Sequence, residues 1–219
     1  MIRASVFSIA AMVLTAYMAT AAHATMQDDV SQAVTIIERF QQIPEQAIPV
    51  AVLREAKGLA ILTVTKAGFI VTGRGGTGIV VARTDKGWSG PSAIGTGGVG
   101  FGFQAGAQVS ELVIVLNTPE AVNAFAKGGN VTLGGSLSVA AGPVGRDAEA
   151  ALTLGAATYT YSRSQGLFAG VSLEGTVIAT RDETNAEYYG KPVAANDILA
   201  GKVEPPASAQ QLRAALTKY

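Results

Sequence analysis

Hydrophobic residues recur at helical spacing between Gln27 and Phe40, where Val30, Ala33, Val34, Ile37 and Phe40 share one face. Asp28 and Asp29 sit near the start, where the helix dipole favours anions. The pattern predicts an amphipathic helix interrupted at Pro44. A second short helix is expected from Pro49 to Gly58, proline first and glycine last, with Val50, Leu53 and Lys57 on one face. From Leu59 the period changes to β-branched runs broken by glycine: Leu59 to Thr65, Phe69 to Thr72, Gly78 to Arg83 and, with interruptions, Ser92 to Val109. Such runs read as hairpins. Gly98, Gly100 and Gly102 alternate with Val99, Phe101 and Phe103, so one strand face is bare and the other bulky. Gly95 and Gly97 have the opposite parity, which predicts a β-bulge near Gly97-Gly98.

Leu112 to Leu116 has the composition of a buried strand, and Thr118-Pro119-Glu120 opens a helix expected to end near Gly128-Gly129. Further strands are expected at Val131 to Ala140, Thr158 to Ser162, Leu167 to Leu173 and Thr176 to Thr180. Asp182 is placed to cap a short helix that runs to Tyr189 and stops at Gly190. Gly201 to Pro206 reads as a linker, and the Ser208/Gln211 spacing as the capping box of a final helix. The implied fold class is α+β: a single domain dominated by antiparallel β-sheet, able to curl toward a barrel, with flanking N- and C-terminal helices.

Composition narrows the chemistry. Arg3, the apolar run from Val6 to Ala22 and the site Ala22-His23-Ala24 together read as a signal peptide over residues 1–24, cleaved before Thr25. The expected mature domain is 25–219, and the expected location is the periplasm or the exterior, peripheral to a membrane. An uncleaved membrane anchor is the rival reading. The chain's one histidine lies inside this leader, and there is no cysteine. That excludes a Ser-His-Asp triad, a cysteine nucleophile, a lipoprotein anchor and the usual His/Cys zinc site from the mature domain. The formal net charge of zero does not suggest a nucleic-acid binder. The expectation is therefore a non-enzyme without a cofactor.

Gly73-Arg74-Gly75-Gly76-Thr77-Gly78 has GxGxxG spacing, but the residues that follow, Ile79-Val80-Val81, continue as strand rather than helix. A glycine hairpin turn is the expected reading. Asp182, Glu183 and Glu187 form one acidic group and Asp147 and Glu149 another. A pair of carboxylates from either group would suit glycoside hydrolysis, although helix starts and exposed loops also favour them. Between Lys57 and Arg83 there are four bases, Lys57, Lys66, Arg74 and Arg83, and no acid. Bases gathered at turns and strand ends can form a positive rim that holds phosphate.

An ordered series of strings resembles the SYLF domain family. It comprises Pro91-Ser92-Ala93-Ile94-Gly95, Gly100 to Gln108, Gly142 to Arg146, Tyr161 to Gly170, Asn185 and Tyr188-Tyr189-Gly190. The resemblance implies a non-catalytic domain that binds lipid membranes, with phosphoinositide and actin binding in eukaryotic relatives. For a secreted, bacterial-type member it implies contact with anionic phospholipid and makes actin an unexpected partner. Lys57, Lys66, Arg74 and Arg83 are the expected ligand contacts, with Arg146 and Arg163 as additions. The alternatives are a structural β protein of the outer membrane and a carboxylate-dependent hydrolase.

Overall fold

The computed structural model describes residues 25–42, 47–128, 130–132, 139–141, 156–166 and 177–219. The signal-peptide segment, Pro44, Arg146, Asp147, Glu149 and the strand expected at Leu167 to Leu173 lie outside these residues.

Helix α1, Met26–Gln42, forms as its periodicity predicts. Its start is fixed by a reciprocal cap: Thr25 Oγ1 and Thr25 N donate to Asp28, while Asp28 N donates back to Thr25 Oγ1. Helix α2, Val50–Glu55, follows Pro49. Its inward residues are Val52 and Leu53, whereas Val50 and Lys57 are exposed, which corrects the expected face.

The short glycine-broken runs are in fact two long strands. β1 is Gly58–Thr84 and β3 is Ser92–Leu116. They pair antiparallel along nearly their whole length. The tight turn is at Asp85-Lys86, after which β2, Gly87–Trp88, pairs back onto the end of β1. Gly73 to Gly78 is therefore strand interior and not a turn. The register shift lies between Phe69 and Val71, not at Gly97-Gly98, where the ladder is continuous. Next to it the directly paired Gly68 and Gly106 have φ of 156° and 149°, a region glycine tolerates and other residues avoid.

The ribbon curls there and returns on itself, so that Arg83 N donates to Lys57 O and Lys57 N to Leu116 O. Inside the curl, side chains at Gly76 and Gly78 would run into the backbone of residues 61–64. Glycine is what allows the two halves to cross. Gly100 and Gly102 are within β3, but their surroundings lie outside the described side chains.

Helix α3, Pro119–Ala126, is capped by Thr118, whose Oγ1 accepts from Ala121 N. Strands β4, Asn130–Thr132, and β5, Val139–Ala141, are followed by β6, Thr158–Gly166, and β7, Val177–Thr180. The sheet runs β2-β1-β3-β6-β5, and β7 pairs with both β3 and β4. All pairings are antiparallel except β5 with β6.

Helix α4, Asp182–Tyr189, ends on Gly190 at φ 69°, as expected, but Asp182 makes no cap. The chain then forms α5, Ala195–Leu199, which had no counterpart in the periodicity. A 3-10 turn at Ala207–Ala209 leads into α6, Gln210–Leu216. Ser208 does not build a capping box there, because its hydroxyl donates to Tyr188 Oη at 2.9 Å.

Strand alternation separates two cores. Leu59, Ile61, Ile79 and Val81 pack on one side with α1, α2 and α6. Ala60, Leu62, Val80 and Ala82 pack on the other with α3 and Leu199 of α5. The fold is thus α+β and one domain: a curled, largely antiparallel sheet with terminal helices on one face.

Candidate functional site

Where α1, the far half of the ribbon and β7 meet, the structure leaves an open groove of about 400 Å³. Its lining includes Arg74, Gly75, Thr77, Gly97, Val177 and Arg181 and, among the described residues, no carboxylate. Between Thr96 and Gln108, that is between its pairings with β7 and β6, β3 has no partner on that side among the described residues.

Arg181 is fixed from behind. Its Nη1 donates to Asp29 Oδ2 at 2.9 Å, and Thr77 Oγ1 donates to Asp29 Oδ1 at 2.6 Å. Burial is the largest influence on this carboxyl and raises it to about 6 against the lowering effect of Thr77 and Arg181. Glycine lets both guanidinium stems lie against backbone: a Cβ on Gly95 would meet Arg181 Cδ at 3.1 Å, and one on Gly98 would meet Arg74 Nε at 3.0 Å. Gly95 and Gly98 point to opposite faces of the strand, so the two arginines approach the groove from opposite sides. Gly75 and Gly97, paired directly across the ribbon, have nothing within 4 Å of where a Cβ would stand.

Of the six bases expected as ligand contacts, the five that fall among the described residues are not gathered on one rim, and Arg146 lies outside those residues. Arg74 borders the groove. Lys57 and Arg83 meet where the ribbon returns on itself, with Lys57 exposed. Arg83 is engaged internally: its Nε donates to Ala56 O, its Nη2 to Leu53 O, and its guanidinium lies 4.4 Å from the centre of the Trp88 ring. It closes the C-terminal end of α2. Arg163 does the same for α1 by donating to Arg39 O, while Arg39 pairs with Glu111 on β3. Lys66 is half-buried, opposite the buried Gln108. Asp182 and Glu183 in the first turn of α4 and Glu187 near its end are all exposed.

Sequence reasoning missed Asp29 and Arg181. The signal was present for Asp29, which falls on the buried Met26, Ala33, Phe40 face of α1 rather than beside Asp28. A carboxylate there requires a partner. Asn185, quoted only for its resemblance, is fully buried; its Oδ1 accepts from Ala93 N at 2.7 Å and its Nδ2 donates to Ser92 Oγ at 3.1 Å. With Tyr189 Oη donating to Pro91 O, it fixes α4, and so Arg181, against the start of β3.

Residues 97–219 match the family described as Las17-binding protein actin regulator, Ysc84. The chain is 52% identical over 202 residues to human SH3 domain-containing YSC84-like protein 1, an alignment covering 89% of this chain and 59% of that protein. It is 49% identical over 173 residues to LAS seventeen-binding protein 3 of Saccharomyces cerevisiae, covering 77% of this chain and 38% of the yeast protein. The chain therefore spans well under two thirds of these relatives. They are eukaryotic, and give no support to the expectation of a bacterial secreted member. The match extends over more than half of the sequence, and the chain belongs to the Ysc84 family, the SYLF domain family.

Proposed function

We propose that this chain is a non-catalytic domain that binds the phosphate-bearing headgroups of anionic lipids. The observation that carries the reading is Arg74, a cation bordering an open groove with no carboxylate in its lining among the described residues. No hydrogen bond or ion pair engages Arg74 among the described residues. Arginine suits phosphate because its planar fork donates two bonds at once. Lys66 and Lys57 add positive charge along the same acid-free stretch, whereas Arg83 and Arg163 serve the fold.

The test is co-sedimentation with phosphatidylcholine vesicles, with and without phosphatidic acid, at low and high salt. Binding is expected only with the anionic lipid, falling as salt rises, and weakened by joint reversal of Lys66 and Arg74. Equal binding to both vesicle types, or to neither, overturns the reading. Arg83 is left unchanged, since its reversal would disturb α2. The alternative of an outer-membrane β protein is less well supported, because helices and not lipid cover one face of the ribbon.

A second reading follows from the family description. An actin-regulatory partner is proposed beside lipid, against the expectation that actin has no part, and pelleting with filamentous actin tests it. For the segment 1–24 we retain the signal-peptide proposal, with export to the periplasm or exterior; the intact mass of the exported protein decides it.

A further inference from the structure

We propose that the groove between the β1–β3 ribbon and β7 is a specific site for one anionic amphiphile, its phosphate held between Arg74 and Arg181 and its apolar part lying on the bare backbone of Gly75 and Gly97. This rests on the lipid-binding reading and gives it a location.

Among the described residues two arginines border the groove and no acid lines it, so this lining favours an anion. Asp29 lies behind Arg181 and holds that guanidinium in place instead of facing the groove. A fixed arginine gives up less conformational entropy when a ligand arrives. Apart from Arg74, Arg181, Thr77 and Thr96 the lining is glycine, valine and alanine, which suits methylenes next to a charged head.

The glycines divide by what surrounds them. Gly76 and Gly78 are accounted for by the strand crossing, and Gly95 and Gly98 by the arginine stems. Gly75 and Gly97 face open space, so no contact within the described fold requires glycine there. Their lack of side chains leaves the groove floor at backbone level, where a slim apolar group can lie. The volume, about 400 Å³, falls in the usual range for small-molecule sites.

The experiment is calorimetric titration of the full chain with dioctanoyl phosphatidic acid below its micelle concentration, beside inorganic phosphate and uncharged dioctanoylglycerol. The phosphatidic acid is expected to bind, phosphate about tenfold or more weakly, and dioctanoylglycerol not at all. Arg74→Gln should weaken binding about tenfold, the scale of a lost charge-assisted contact. Gly97→Leu should remove it by filling the floor, with Gly75→Leu in its place if the first variant fails to fold. Arg54→Gln, which removes an exposed cation from α2, controls for charge alone. Unchanged affinity in both Arg74→Gln and the leucine variant overturns the site, as does absence of binding to the soluble probe. Phosphate binding as tightly as the amphiphile overturns the apolar floor. Vesicle binding that survives both substitutions overturns the groove and leaves the lipid reading standing. Binding of the soluble probe without vesicle binding supports the groove and overturns the membrane reading.

Discussion

Asp29 accepts a hydrogen bond from Arg181 Nη1 at 2.9 Å, which fastens the first turns of α1 to the junction between β7 and α4, 152 residues away in the chain. The same carboxylate receives Thr77 Oγ1 from β1. One buried acid thus ties the N-terminal helix, the far half of the ribbon and the base of the groove together. Its desolvation outweighs both partners and sets its carboxyl near 6.

This makes stability depend on pH in a definite direction. A carboxyl raised on folding favours the protonated form, so Asp29's contribution is complete below its unfolded value of 3.8 and declines as pH rises through about 6. The decline is on the order of 3 kcal/mol. Urea midpoints of the parent and Asp29→Asn across pH 3.5 to 7.5 isolate it, because other carboxylates cancel in the difference. The expected difference curve changes between about pH 4 and 6 and is flat above pH 7. A curve that is flat throughout would remove Asp29 as the titrating group.

Arg83→Ala is expected to destabilise the chain by about 2 to 4 kcal/mol, through loss of two carbonyl contacts on α2 and the cation over Trp88. Arg83→Lys should recover little of this, since an ammonium cannot reach both carbonyls as a fork does. Denaturant melts followed by Trp88 emission report both. A lysine variant as stable as the parent would mean that only the charge matters at this position.

Hydrophobic periodicity made α1, α3 and the β-rich middle legible, and the cap residues Thr118 and Gly190 fell where their chemistry requires. The long ribbon was misread because glycine in a strand has the same local signature as glycine in a turn. Only the contact of Gly76 and Gly78 with residues 61–64 distinguishes them, and that contact is non-local. The basic residues were legible as charge and not as roles: Arg83 and Arg163 engage carbonyls at helix ends that no spacing rule identifies. Arg181 acquires its partner from α1 across most of the chain, so nothing near it in sequence announces the site.

Asn185→Ala is expected to cost about 2 to 4 kcal/mol, because it strands the buried Ala93 N–H and Ser92 hydroxyl without replacing either bond. Hydrogen exchange provides a local readout. The Ala93 amide should exchange faster relative to amides of the ribbon's near half, such as Val113. Uniform loss of protection across both would show a general destabilisation and refute the specific anchoring of α4.

The glycines of the far half should divide into two classes under the same substitution. A Cβ on Gly78 would overlap Ile61 O and crowd Leu62 Cα, both backbone atoms that can move only if the ribbon halves separate. Gly78→Ala is therefore expected to destabilise by at least about 1 to 3 kcal/mol, the range of an overpacked core. Gly75→Ala places its methyl in open space at a backbone angle that L-residues adopt, so it should be neutral or stabilising by a few tenths of a kcal/mol through reduced chain entropy. Urea melts of the two variants side by side decide the matter. Equal midpoints would mean that the ribbon does not cross itself at Gly78, and the curl that positions Arg74 over the groove would have to be redrawn.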